Sequence, residues 1–175
     1  GGGGGGGGGG VLGGGLRFRA GCHVLAAEGL PPGAGGSAPG GGLRVVAARG
    51  RKAWATPEVE VGAGGGVVWD HALEWELTVA RGGAGGRRLS PKEYSLKVQR
   101  REGSRFFTVC KGHLDFSAFL SLDPTGALPT EVTVRLSPGE GRLSLVVGGE
   151  WLREATRATP AREERSEERR VGKEG

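Results

Sequence analysis

Between residues 66 and 150 five short runs alternate apolar with polar side chains: LEWELTV at 73–79, YSLKV at 94–98, FFTVC at 106–110, VTVRL at 132–136 and LSLVV at 143–147. Each is bounded by Gly, Pro, Ser or Asp. Successive side chains of a strand point to opposite faces, so this alternation marks strands with one face buried and one wetted. Such half-buried strands belong to antiparallel sheets. The spacing therefore predicts an all-β chain, an antiparallel sandwich or barrel.

Working outward, Leu16–Val24 reads as a first strand, with Leu16, Phe18, Ala20, Cys22 and Val24 on one face and Arg17, Arg19 and His23 on the other. Gly29–Gly42 has the composition of a loop. Leu43–Ala48 follows as a second strand, leading to a basic turn at Arg49, Arg51 and Lys52. Val59–Val61 and Val67–Trp69 are expected to flank a Gly-rich hairpin turn, and Arg81–Arg88 to be a loop. Tyr94–Arg100 and Arg105–Cys110 are expected to pair across the turn Glu102-Gly103-Ser104. Phe116, Phe119 and Leu120 have helical spacing, so Asp115–Leu122 is expected to hold one or two helical turns. Val132–Leu136 and Leu143–Val147 close the sheet around the turn Ser137–Gly141.

The 175 residues suffice for one domain, placed at 16–152. Residues 1–15 are almost pure Gly and are expected to be disordered, since they offer nothing to bury. Residues 153–175 form a densely charged tail, in which Arg165–Glu174 resembles the in-frame translation of a sequencing adapter. The chain has 39 Gly and 24 basic residues, only five of them Lys, and it lacks Ile, Asn and Met. All four scarcities fall on AT-rich codons, so the Gly and Arg excess is read as coding bias. Because Gly1 is no natural start, the chain is read as a fragment. No apolar run approaches the ~20 residues of a membrane span. Cys22 and Cys110 make no disulfide framework, which favours a reducing, cytoplasmic setting.

The order of signals resembles the N-terminal (NT-type) C2 domain of EH-domain-binding, early-estrogen-induced and plastid-movement-impaired proteins. The carrying residues are Gly29-Leu30-Pro31, Leu43–Val46 with the Arg49–Lys52 turn and Thr56, and Val67-Val68-Trp69-Asp70 running into Leu73–Leu77. Further on they are Tyr94–Val98, Gly112–Ser117 and Leu143–Leu145. Ala47 and Ala48 depart from the pattern, standing where an aromatic is common. The resemblance implies an eight-stranded C2-like sandwich with one short helix, no catalytic activity, and docking on membranes or on protein partners in trafficking and cytoskeletal assemblies.

The formal net charge is +5, which suits an acidic partner. In Tyr94–Arg100 the parity sends Lys97 outward, and the hairpin tip adds Arg100, Arg101 and Arg105. With Arg51 and Lys52 these are the candidate lipid-binding residues; Arg17, Arg19, Arg44 and Arg49 can join them. The expected reading is calcium-independent, peripheral docking on an anionic phospholipid surface. Its alternatives are a protein-interaction scaffold without lipid affinity and an ordinary solvated sheet face. Trp54, beside the basic turn, is a candidate for membrane insertion.

Other chemistries find little to use. Calcium needs six to eight oxygens, yet Asp70, Asp115 and Asp123 lie in separate segments and read as turn or cap residues. Cys22 and His23 are adjacent on a strand and point apart, so Cys22, His23, Cys110 and His113 make an awkward zinc set. No Gly-x-Ser-x-Gly elbow or phosphate-binding Gly-Lys-Ser/Thr loop occurs. No aromatic pair alternates with basic residues to stack bases, so neither nucleic acid nor any cofactor is expected.

Overall fold

Each long alternating run lies in a strand. The computed structural model describes residues 15–36, 41–82, 88–123 and 129–153. The glycine run to Gly14 and the charged tail from Glu154, with its adapter-like segment, lie outside them. The strands are β1 Gly15–Glu28, β2 Gly42–Arg49, β3 Lys52–Ala55, β4 Val59–Glu60 and β5 Val67–Gly82. They continue with β6 Arg88–Leu89, β7 Glu93–Glu102, β8 Arg105–Asp115, β9 Thr130–Leu136 and β10 Gly141–Trp151. A 3-10 turn at Phe116–Phe119 precedes β9. The eight strands of four residues or more correspond to the expected sandwich, and the 3-10 turn to its short helix; β4 and β6 have two residues each.

The first sheet has the order β6-β5-β1-β10-β9; the second has β3-β2-β7-β8, with β4 also on β2. All ladders are antiparallel. Phe18, Leu43, Leu96, Phe116, Leu136, Leu143 and Leu145 are fully buried between the sheets. Each such burial contributes about 1.5–3 kcal/mol. Two tryptophans of β5 tie the sheets together. Trp69 donates from Nε1 to the Leu43 carbonyl at 2.9 Å. Trp75 stacks on Trp54 of the opposite sheet, with ring centroids 4.6 Å apart. Thr56 fills the gap between β3 and β4, its hydroxyl accepting from the Val45 amide at 2.9 Å and donating to the Pro57 carbonyl at 2.9 Å.

Several local expectations are corrected. Val59–Glu60 and Val67–Trp69 do not form a hairpin. β4 pairs with β2, whereas β5 pairs with β1, so the Gly62–Gly66 turn carries the chain between sheets. Val67–Trp69 and Leu73–Val79 are one 16-residue strand. β1 outruns its expected end because its register shifts between Val24 and Ala26, which moves the inward parity to Ala27. Lys52–Ala55, expected only as part of a turn, forms an edge strand. Trp54 is half-buried in the aromatic core, not a free interfacial residue.

The second sheet closes on the first at one edge. Lys111 of β8 exchanges two backbone hydrogen bonds with Ser137, each 2.8 Å, just beyond β9. Gly112 permits this approach: a Cβ there would stand 2.5 Å from the Arg135 carbonyl oxygen and 2.6 Å from Val134 Cγ1. Gly21 has open space at the same position and no positive φ. Gly112→Ala is expected to lower stability by about 1–3 kcal/mol through overpacking. Gly21→Ala should raise it by about 0.4–1 kcal/mol by restricting the unfolded chain. Paired thermal melts of the two variants check both signs.

Candidate functional site

The ladders assign each basic side chain to a surface. Lys97 of β7 lies directly opposite Lys111 of β8 on the outer face of the second sheet. Beside them, Arg44 of β2 pairs with Gln99. The Arg44 guanidinium lies 3.4 Å from the Phe106 ring centroid and donates twice to Gln99 Oε1, at 3.1 and 2.9 Å. Gln99 in turn donates to the Thr108 hydroxyl at 3.2 Å. Burial pulls the Arg44 pKa down and nearby Glu58 opposes it. This cross-strand network flattens Arg44 onto the sheet; among the described residues no carboxylate pairs with Arg44, Lys97 or Lys111.

The hairpin tip is more restrained. Arg100 pairs with Glu102 at 2.6 Å, and Arg101 with Glu58 at 3.2 Å. Arg105 lies 5.8 Å from the ring centroid of Phe107, which is 40% exposed. Arg51 and Lys52 sit elsewhere. The β2–β7 ladder runs from Leu43↔Arg100 to Ala48↔Ser95, five residues or about 17 Å. The turn bearing Arg51 and Lys52 lies beyond Ala48, at the far end. The six sequence-derived residues therefore occupy three places: Lys97 mid-sheet, Arg100, Arg101 and Arg105 at the tip, and Arg51 and Lys52 at the opposite turn. Sequence reasoning missed Lys111, because a register shift between Val98 and Gln99 gives β8 an extra residue and breaks its alternation. Counting back from the Gly103 tip without that bulge puts Lys111 out of phase.

The remaining polar candidates have local partners. Asp70 takes a φ of +48° and its Oδ1 shares a 2.6 Å hydrogen bond with His23. Asp115 caps the 3-10 turn, accepting from the Lys92 amide at 2.8 Å, the Ser117 amide at 3.0 Å and the Ser117 hydroxyl at 2.7 Å. The Asp123 amide donates to the Ser121 hydroxyl. His113 lies 4.0 Å from Glu93. Among the described residues no three His, Cys, Asp or Glu are grouped to hold a metal ion. Cys22 and Cys110 are buried, and burial pushes their thiols up to about 12 and about 11. Neither is a thiolate near neutrality, so neither is a ready nucleophile.

The sequence matches no family profile and no curated protein. Solved structures do match its fold. One is human GIVD cytosolic phospholipase A2, at a TM-score of 0.57 and 15% identity, over 79% of this chain and 16% of that one. The chain thus spans about a sixth of that protein's length. Another is a C2 domain-containing protein, at 0.51 and 14% identity, over 77% of this chain and 90% of that one. Together with the sheet order, these likenesses show that the chain has the fold of a C2 domain.

Two titrations test the local chemistry. Alkylation of Cys22 and Cys110 at pH 8 should proceed only as fast as the chain opens, so its rate should follow denaturant-induced unfolding. Rapid labelling of native protein would contradict the burial. For Asp115, burial pulls the carboxyl pKa up, but the Lys92 amide and the Ser117 hydroxyl and amide together hold it below the usual value. A depressed folded pKa gives stability that is present above the unfolded value and is lost as pH falls through the folded one. The melting-temperature gap between wild type and Asp115→Ala should therefore be full at pH 7 and shrink below about pH 4.

Proposed function

We propose that this chain is a non-enzymatic C2 module of the NT type that docks on anionic phospholipid surfaces without calcium. The carrying observation is the Lys97–Lys111 pair. Like charges directly opposite across a ladder destabilise a sheet. Two lysines in that position, with no carboxylate paired to either among the described residues, cost folding energy that an external anionic surface offsets. Arg44 extends the positive face, and the tip residues Arg101 and Arg105 border it, beside the partly exposed Phe107. Each basic group near an anionic leaflet contributes about 1 kcal/mol, enough for reversible and salt-sensitive attachment when several act together. Among the described residues no helix is long and apolar enough to cross a membrane; the attachment proposed is peripheral and from the cytoplasmic side, where the leaflet is anionic. Adaptor interactions with protein partners would occur alongside it, as the resemblance to the NT-type group implies.

The second reading, a protein-interaction scaffold, draws on Val68 and Phe107, the exposed large apolar side chains among the described residues. Flotation of the full chain with vesicles separates the two. Binding to phosphatidylserine and phosphoinositide vesicles, unchanged by chelator and weakened by salt, is the expected result. Lys97→Ala with Lys111→Ala should weaken it by about 2 kcal/mol, roughly thirty-fold. Lys111→Glu is the sharper variant. It turns a repulsive cross-strand pair into an attractive one, so the protein should melt at a higher temperature while losing vesicle binding. No binding of wild type under any condition would turn the assignment to the scaffold.

A further inference from the structure

A cleft of about 510 Å³ opens at the far end of the sandwich, away from the hairpin tip. Its walls come from the β2–β3 turn, the start of β7 and the facing strands β1 and β5. Arg17, Arg49, Arg51, Lys52 and Lys92 line it, with Glu76 as its one carboxylate. Glu76 is paired to Arg17. Among the described residues no ion pair neutralises Arg49, Arg51, Lys52 or Lys92. The cleft therefore gathers four uncompensated cations in a volume within the range of small-molecule sites.

The lining is held in place. Gly50 adopts a φ of +62°, which turns the chain tightly enough to bring Arg49, Arg51 and Lys52 together within one hairpin. Lys92 is pinned through its backbone, its amide donating to Asp115 Oδ1 at 2.8 Å and its carbonyl accepting from the Phe116 amide at 3.0 Å. The Lys92 pKa is drawn down by burial and then by Arg49 and Lys52. Tyr94, also in the lining, accepts from Trp75 Nε1 at 3.1 Å, and among the described residues its hydroxyl proton has no acceptor.

Such an arrangement favours a compact polyanion. Arginine forks match the oxygens of phosphate and bind them bidentately, with lysines as point charges beside them. A single carboxylate would leave most of the charge unmatched. A nucleotide needs a face on which to stack its base, and Tyr94, the aromatic residue of the lining, is only 4% exposed. We infer that the cleft binds a small polyol bearing two or more clustered phosphate groups, as in a phosphorylated inositol. The shared chemistry comes from either a phosphoinositide headgroup or a soluble inositol polyphosphate. The cleft and the outer face of the sheet share no residue, so this inference stands apart from the docking reading.

Calorimetry of the full chain with myo-inositol hexakisphosphate at physiological salt is the test. One-to-one binding is expected. Arg49→Ala with Lys92→Ala should weaken it about a hundred-fold or more, because a charge-assisted hydrogen bond is lost at each position. Lys97→Glu with Lys111→Glu should leave it unchanged. Without ligand, the cleft variant should melt no lower than wild type, since repulsion is relieved; should it fail to fold, Arg51→Ala on the exposed turn replaces it. Absence of binding, several weak equivalents, or equal loss in cleft and face variants would overturn the site. Phosphatidylinositol bisphosphate vesicles then distinguish the sources. If the face variant still floats and the soluble ligand displaces it, the cleft takes a headgroup. If it no longer floats yet binds the soluble ligand, the cleft takes the free polyanion. Loss of wild-type flotation with calorimetric binding intact would sink the docking reading alone.

Discussion

The contact on which the rest depends is the stack of Trp75 on Trp54. Trp75 belongs to the first sheet and Trp54 to an edge strand of the second. Trp75 also donates to Tyr94, and Phe116 packs against both rings, 5.2 and 5.0 Å from their centroids. Four aromatic side chains from β3, β5, β7 and the 3-10 turn thus meet in one cluster. An edge strand of four residues has little ladder of its own to hold it. Its tryptophan anchors it, and the Arg49–Lys52 turn is carried on that anchor. Phe116 does the same for Lys92, whose carbonyl it holds through its amide. The geometry of the basic cleft is therefore a consequence of aromatic packing beneath it.

Against that rigid frame, the placement of cations runs counter to stability. Lys97 faces Lys111, and Lys92 is crowded by Arg49 and Lys52. Arg17 and Arg19 of β1 pair with Glu76 and Glu150 on the neighbouring strands, and Arg101 pairs with Glu58 in the segment before β4, whereas Arg135 and Arg142 stand opposite each other in the β9–β10 ladder. Ion pairs of the first kind serve the sheet, and under the proposed readings the cations of the outer face and of the cleft would serve a ligand outside it.

Alternation made most of the sandwich readable. The inward set Tyr94, Leu96 and Val98 is buried, as are Trp69 and Trp75, because a period of two survives wherever the strand is regular. It failed where one residue was inserted. The shift beyond Val24 and the bulge in β8 each change which side chains face outward, and neither leaves a mark in composition. The strand Lys52–Ala55 was hidden because its identity as a strand comes from pairing with β2 and from the Trp75 stack, both long-range. For the candidate site, parity placed Lys97 on the outer face but could not tell that Arg100 and Arg101 have acidic partners or that Arg51 lies at the other end. Those facts depend on register and on which sheet edge a loop reaches.

Distance decides how the positive charge acts. The tip and the β2–β3 turn are separated by at least the five-residue span of the β2–β7 ladder, about 17 Å. That is roughly two screening lengths at physiological ionic strength, so charges at the two ends scarcely influence each other through solvent. A net charge of +5 thus describes neither region. The outer face presents its cations across a sheet, which suits a planar array of headgroups. The cleft gathers them around a hollow, which suits one compact ligand. A polyanion bound in the cleft, as inferred, would neutralise Arg49, Arg51, Lys52 and Lys92 without touching Lys97 or Lys111. Under the proposed docking, a membrane would then hold the face whether or not the cleft is filled, and the two proposed sites would need no conformational coupling to operate on one small domain.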